Sequence, residues 1–166
     1  TVLEESIQRQ TAFFEPGSRV TEAEGREIVE TFKSVVNGAR VVTFSGTVSD
    51  PAIAWLYGEL IPIAKGTGAI TILDSHGPEF AHGIESAPYM VKPNVAELQE
   101  LVGFATEGDA DRMRAIDAVH ARGIDLVVLS LGKDGAIVSR GDKRFHVAPP
   151  AIQEINAVGS GDALVA

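Results

Sequence analysis

The chain has 166 residues, of which 23 are acidic and 14 are basic, so its formal charge is −9. This acidic balance argues against binding to nucleic-acid phosphates, and a hydrophobic content of 45% is sufficient for one packed domain. The absence of cysteine excludes disulfides and thiolate metal sites, and it fits a reducing, cytoplasmic compartment. No apolar run has the length of a membrane span, so we expect no leader and no membrane partner. The last five residues resemble a helix that is cut off as it begins, and we expect the chain to be a fragment.

The first 15 residues differ in pattern from the rest of the chain. Their loose alternation of apolar and polar residues predicts two short strands with a turn near Glu5 and Ser6. Pro16 and Gly17 break this segment. We therefore divide the chain into residues 1–15 and a larger α/β unit, residues 16–166.

Helices and strands alternate through the larger unit. Thr21 and Glu24 form a capping box that predicts a helix ending at Asn37, and Asp50 with Pro51 predicts the start of a second helix. Strands are expected at residues 41–44 (buried), 69–73, 89–91 and 126–131, further helices at 94–103 and 107–121, and an antiparallel pair at 136–139 and 144–147. Four strands that alternate with helices predict a mostly parallel sheet with right-handed crossovers and helices on both faces.

Ligands of such sheets bind beyond the carboxyl ends of the strands. The segments that follow the expected strands are small, polar or charged: residues 45–47, 74–77, 92–94, 130–133 and 156–162. The candidate chemistry should therefore lie along this edge of the sheet.

The strongest candidate is a glycine-rich loop near the end of the chain, formed by Gly159, Ser160, Gly161 and Asp162. Backbone N–H groups at the start of a helix favour anions, and the Asp carboxylate could take a proton from an attacking hydroxyl. The alternative is an ordinary turn with Asp at a helix start. A dinucleotide-binding motif is disfavoured because Leu164 occupies the place of its third glycine.

A second candidate follows the strand at residues 89–91. Pro93 ends that strand, so Lys92 is expected to project at the edge of the sheet. Asn94 and Glu97 lie three residues apart on one face of a helix start. This spacing is explained by a capping box, or alternatively by a binding site for hydrated Mg²⁺ beside a polyphosphate.

A third candidate closes the strand at residues 126–131. Gly132 and Gly135 flank Lys133 and Asp134, which indicates either a turn into the next strand or a backbone contact with a ligand. Asp74 ends an earlier strand, where it would face a ligand or cap a loop.

Taken in order, the motifs resemble those of the PfkB carbohydrate kinases of the ribokinase-like superfamily, and the resemblance covers nearly the whole chain. The motifs are Glu15-Pro16-Gly17, Ser45-Gly46, Ile72-Leu73-Asp74, Lys92-Pro93-Asn94 with Glu97, Ser130-Leu131-Gly132 with Gly135-Ala136, and Asn156 to Asp162. The chain is most similar to the branch of 1-phosphofructokinases and tagatose-6-phosphate kinases. One departure is Thr47-Val48 after Ser45-Gly46, where the family has Ser and a Pro-Gly turn.

The resemblance implies a three-layer α/β/α sandwich, truncated at both ends, with residues 1–15 as part of a β lid. It makes Asp162 the catalytic base and Gly159, Ser160 and Gly161 an anion hole for the transferring phosphoryl group. It assigns Lys92, Asn94, Ser130, Gly132, Lys133 and Gly135 to ATP, Ser45 and Gly46 to the sugar, and Asn94 and Glu97 to Mg²⁺ through water.

The activity that follows from the resemblance is transfer of the ATP γ-phosphoryl group to a hydroxyl of a ketohexose phosphate, such as fructose 1-phosphate or tagatose 6-phosphate. Its cofactors would be ATP and Mg²⁺, and a second copy of the chain could pair with it through the β lid. We expect the fragment alone to be inactive. The alternative is a non-catalytic nucleotide- or sugar-binding module, because a fold does not fix a function.

Overall fold

The computed structural model describes residues 2–4, 9–11, 15 and 17–149. Strands β1 (Val2–Glu4) and β2 (Arg9–Thr11) pair antiparallel and form a small sheet of their own. The two strands expected in the first 15 residues are therefore confirmed. The turn expected between them lies outside the described residues.

The remaining described residues form one α/β unit with a six-stranded sheet. Its strands are β3 (Val41–Ser45), β4 (Ile70–Asp74), β5 (Met90–Val91), β6 (Leu126–Ser130), β7 (Ala136–Arg140) and β8 (Lys143–Val147). Its helices are α1 (Glu22–Val35), α2 (Leu56–Gly66), α3 (Gly77–Ile84), α4 (Val95–Val102) and α5 (Asp109–His120).

The strands lie side by side in chain order. Strands β3 to β6 are parallel, and β7 and β8 continue the sheet antiparallel, as the sequence predicted. Since every crossover from β3 to β6 advances in the same direction, right-handed connections place all the intervening helices on one face.

The hydrophobic core lies between that face and the helices. Phe44, Leu73, Val91 and Val127 occupy matching register positions on the four parallel strands, and all are buried. They belong to one cluster with residues of all five described helices, including Val29, Ile61, Ile84, Leu98 and Ile116. The positions of these apolar residues thus fix how the helices dock on the sheet.

The opposite face of the sheet exposes apolar residues toward both of its edges. Val41, Ile70, Phe145 and Val147 lie on that face and are 45% to 61% exposed. The expectation of helices on both faces is therefore not met in this part of the chain, which supplies the sheet and one helical layer. The expectation of a buried strand at residues 41–44 is wrong, because β3 is the edge strand and only Phe44 is buried.

The helix boundaries follow local signals in most places. The Thr21 hydroxyl accepts the Glu24 N–H, and the Glu24 carboxylate accepts the Thr21 N–H at 2.8 Å, so the capping box of α1 is confirmed. The helix expected from Asp50 instead begins with a single 3₁₀ turn, Pro51–Ile53, which Asp50 caps before α2 starts. Helix α3 was not predicted from the sequence.

Candidate active site

The loops after β3, β4, β5 and β6 meet at one edge of the sheet. The Gly46 N–H donates to the Asp74 carbonyl at 3.0 Å, and the Ser130 N–H donates to the Pro93 carbonyl at 3.0 Å. Asn94 forms an isolated parallel bridge with Ser130. Two pairs of segments that the sequence assigned to this edge are therefore in direct contact.

Lys92 and Asp74 form an ion pair at the centre of this edge. The Lys92 Nζ lies 3.0 Å from the Asp74 Oδ1, and their side chains are only 7% and 15% exposed. A buried ammonium needs a compensating charge, which Asp74 supplies from the neighbouring strand. The sequence predicted that Lys92 projects at the edge, whereas its side chain is buried against Asp74.

The pair explains Asp74 in a way that sequence reasoning missed. Asp74 and Lys92 each follow an apolar residue of a register pair, Leu73 and Val91, on adjacent parallel strands. The available signal was the presence of opposite charges at the ends of two consecutive strands. It becomes decisive only when the strands are known to be neighbours.

Asn94 and Glu97 form a reciprocal cap at the start of α4. The Asn94 Oδ1 accepts the Glu97 N–H at 2.9 Å, and the Glu97 Oε2 accepts the Asn94 N–H at 2.8 Å. The capping-box explanation of their spacing is confirmed. A carboxylate oxygen has more than one lone pair, so this cap is compatible with a water-mediated contact to a cation.

The glycines after β6 shape a tight turn. Residues Gly132–Asp134 form a 3₁₀ turn, and Gly135 has a φ of 89°. A Cβ on Gly135 would lie 2.0 Å from the Val147 carbonyl oxygen, so only glycine fits. The turn into β7 is confirmed, and it leaves Lys133 exposed beyond the end of β6.

Ser45 ends β3 at the same edge, and Gly46 follows it. Gly46 has a φ of 83°, which favours glycine, and both residues are exposed. Their carbonyls accept hydrogen bonds from the Tyr57 hydroxyl on α2 at 3.0 and 3.2 Å. Burial, followed by the charge of Glu79, raises the pKa of Tyr57, so its hydroxyl stays protonated as a donor.

A cleft of about 310 Å³ lies between α3 and α4. Its lining residues are Gly77, Pro78, Phe80, Ala81, Glu85, Glu97, Glu100, Leu101 and Arg122. Arg122 pairs with Glu85 at 2.8 Å, so part of the acidic charge is neutralised. Glu97 connects this cleft to the edge of the sheet.

The glycine-rich loop expected to carry the chemistry is not among the residues that the structure describes. Gly159, Ser160, Gly161 and Asp162 are outside the described residues. Within the described ranges, no group of three or more His, Asp or Glu side chains is arranged to hold a metal ion. None of the helices in those ranges is long and apolar enough to span a membrane.

Comparison with known proteins identifies the family. A family model described as pfkB family carbohydrate kinase matches residues 1–166, and the chain belongs to this family. Its structure is similar to that of phosphofructokinase-2 from Escherichia coli in complex with substrates and products, with 28% identity, a TM-score of 0.86, and coverage of 97% of this chain and 53% of that one.

Two further structures support the same fold. The E. coli phosphofructokinase-2 complex with fructose-6-phosphate has 26% identity and a TM-score of 0.80 over 96% of this chain and 53% of that chain. Ribokinase from Arabidopsis thaliana, complexed with ribose and ATP, has 22% identity and a TM-score of 0.66 over 84% of this chain and 43% of that chain, and shows the fold alone. The fold is ribokinase-like, and the described residues supply its mostly parallel sheet and one layer of helices. The chain spans about half the length of these E. coli relatives.

Proposed function

We propose that the whole protein is an ATP-dependent kinase that phosphorylates a hydroxyl of a ketohexose phosphate, such as fructose 1-phosphate or tagatose 6-phosphate. The observation that carries this proposal is the meeting of four strand-end loops at one edge of the sheet in a pfkB-family chain. The similar E. coli structure in complex with fructose-6-phosphate supports a phosphorylated ketohexose as the acceptor.

Asp162 acts as the base in this proposal. Its carboxylate takes the proton of the acceptor hydroxyl, whose oxygen attacks the γ-phosphorus as the bond to the β–γ bridging oxygen breaks and ADP leaves. The backbone N–H groups of Gly159, Ser160 and Gly161 stabilise the charge on the transferring phosphoryl group. A set of positioned donors and one base is sufficient because phosphoryl transfer depends mainly on positioning and electrostatics.

The nucleotide would bind along the end of β5 and β6. The residues proposed to contact ATP are Lys92, Asn94, Ser130, Gly132, Lys133 and Gly135. Asn94 and Glu97 would hold Mg²⁺ through water, since each places a side-chain oxygen at the start of α4, where it caps the other's backbone N–H. Mg²⁺, when bound, neutralises charge on the phosphates.

The acceptor would bind beside the end of β3. Ser45 and Gly46 are exposed there, on a loop that meets the end of β4. Residues 1–15 would cover the acceptor as a β lid, which fits the separate two-stranded sheet of β1 and β2. The same lid is proposed to pair two copies of the protein, and analytical ultracentrifugation of the full-length protein with and without residues 2–11 tests this pairing.

The experiment that tests the function is a coupled assay of ADP release by the full-length protein. Fructose 1-phosphate, fructose 6-phosphate and tagatose 6-phosphate are compared as acceptors with unphosphorylated fructose and ribose. The proposal expects turnover that depends on ATP and Mg²⁺ and is fastest with one phosphorylated ketohexose. Saturable binding of ATP and sugar without turnover would favour the alternative, a non-catalytic binding module.

A further inference from the structure

The loop of residues 45–48 is held by side chains from other segments of the chain. From α2, the Tyr57 hydroxyl donates toward the carbonyls of Ser45 and Gly46 at 3.0 and 3.2 Å. From the end of β4, the Ser75 hydroxyl donates to the same Gly46 carbonyl at 2.8 Å. The conformation of Gly46, which only glycine adopts easily, is thus fixed by two side chains.

A third side chain holds the far end of the loop. The Glu79 Oε1 accepts the Val48 N–H at 3.1 Å, across 31 residues of sequence. Glu79 is only 5% exposed, and it lies in the first turn of α3, where the helix dipole favours a carboxylate. A buried carboxylate is costly unless it accepts hydrogen bonds, so the Val48 contact is one that this site needs.

All four hydrogen bonds reach the loop through its backbone. The loop's outward-facing residues Ser45, Gly46 and Thr47 remain exposed, whereas Tyr57, Ser75 and Glu79 are all buried. The loop is therefore fixed from the protein side, and its outer surface stays open to a ligand. Such an arrangement orders a binding loop in advance and reduces the conformational entropy lost on binding.

We propose that Tyr57, Ser75 and Glu79 form a backbone clamp that positions residues 45–48 to bind the acceptor sugar. These three are positioning residues, since they act on the sugar through the loop. The inference rests on the proposed function, which assigns Ser45 and Gly46 to the acceptor. It predicts that weakening the clamp impairs binding of the acceptor and leaves binding of ATP unchanged, because the nucleotide lies along β5 and β6.

The variants for the test change the clamp and little else. Tyr57→Phe removes the hydroxyl and keeps the ring, which packs edge-on against Phe44 at 5.7 Å. Glu79→Met removes the acceptor at nearly constant size, and Glu79→Gln restores an oxygen that can accept the Val48 N–H. The matched control is Ser86→Ala, because the Ser86 hydroxyl donates to the Gly58 carbonyl at 2.8 Å, beyond the other end of α3.

The test measures, in the full-length protein, kcat, the KM for the acceptor and the KM for ATP. Tyr57→Phe and Glu79→Met are expected to raise the acceptor KM about fivefold to thirtyfold, the value of one or two lost hydrogen bonds. The KM for ATP should stay within about twofold of the wild-type value, which corresponds to less than about 0.5 kcal/mol. Glu79→Gln should recover most of the loss, and Ser86→Ala should behave as wild type.

Hydrogen exchange at the Val48 amide separates the clamp from the proposed function. Both Tyr57→Phe and Glu79→Met should speed exchange over residues 45–48, and Ser86→Ala should not. Unchanged exchange, or an acceptor KM that stays at the wild-type value in an active enzyme, overturns the clamp. If the two variants exchange faster but the wild-type protein phosphorylates no sugar, the proposed function is refuted while the clamp stands.

Discussion

The ion pair between Lys92 and Asp74 makes a prediction about stability that does not depend on catalysis. Lys92→Met leaves the Asp74 carboxylate in its site without a partner, and Asp74→Asn leaves the Lys92 ammonium unpaired. Removal of one partner of a buried pair costs about 3–5 kcal/mol. The lower end, about 3 kcal/mol for each variant, is expected because 15% of the Asp74 side chain remains exposed.

The double variant Lys92→Met with Asp74→Asn completes the cycle. Neither charge is left unpaired in the double variant. Its loss of unfolding free energy should therefore be smaller than the sum of the losses in the two single variants by about 2 kcal/mol or more. The exposed pair of Lys33 and Glu30, at 2.7 Å on α1, is the matched control and should contribute less than about 1 kcal/mol.

The assay is urea unfolding of the full-length protein, followed by circular dichroism and by a second probe. Free energies are compared only where the two transitions coincide, as two-state unfolding requires. Strictly additive losses for Lys92 and Asp74 would refute the reasoning. If the Lys92 and Asp74 single variants lose no more unfolding free energy than the Lys33 and Glu30 variants, the claim is also refuted. The ion pair of Lys92 and Asp74 would then behave as a solvated surface pair.

Three further predictions concern single positions. Gly135→Ala should lower the free energy of unfolding by about 2 kcal/mol or more, measured by urea unfolding, because its Cβ would overlap a backbone carbonyl. Gly141→Ala, with a φ of 58° and open space around it, is the control and should cost about 1 kcal/mol. The folded state raises the pKa of Tyr57, so the protonated hydroxyl stabilises the fold below about pH 10. This contribution is lost as the pH rises above that value and the unfolded state releases the proton first. In Tyr57→Phe, the melting temperature should therefore fall less steeply above about pH 10 than in the wild type. Glu97→Gln should raise the Mg²⁺ concentration needed for half-maximal activity with little change in melting temperature, and a lower melting temperature with unchanged Mg²⁺ dependence would leave Glu97 only its capping role.

Local signals allowed the correct prediction of the helices that carry caps. Thr21 with Glu24 and Asn94 with Glu97 satisfy backbone donors within four residues, so their pattern is complete in the sequence. Gly103, with a φ of 74°, ends α4 where the sequence predicted. The parallel pairing of β3 to β6 was predicted from the alternation of strands and helices, whereas their order in the sheet was not.

Helix α3 shows why other elements could not be predicted. Gly77 and Gly83 weaken a helix locally, and no side-chain cap marks the start of α3 at His76, so Pro78 near its first position is a helix-start signal without support from a cap. Its cause is tertiary, because Phe80 and Ile84 are buried in the core, and a Cβ on Gly83 would lie 2.8 Å from Leu73. A glycine that weakens a helix locally is thus required by close packing on the sheet.

In the candidate site too, local sequence predicted where residues lie, whereas tertiary contacts could not be predicted. The strand-end residues Ser45, Lys92, Asn94 and Ser130 were assigned to one edge from sequence alone. The pairing of Lys92 with Asp74 depends on the register of two strands, and the contacts of residues 45–48 join segments up to 31 residues apart. Such contacts leave no periodic trace in the sequence, so they emerged only from the fold.

The central claim is that the whole protein transfers a phosphoryl group with Asp162 as the base. The most direct measurement compares the full-length protein with its Asp162→Asn variant, using ATP and the best ketohexose phosphate. If Asp162 is the base, kcat should fall by about 10²–10⁴ in this variant, with ATP and sugar still bound and the melting temperature maintained. Turnover by Asp162→Asn at the wild-type rate would show that Asp162 is not the base.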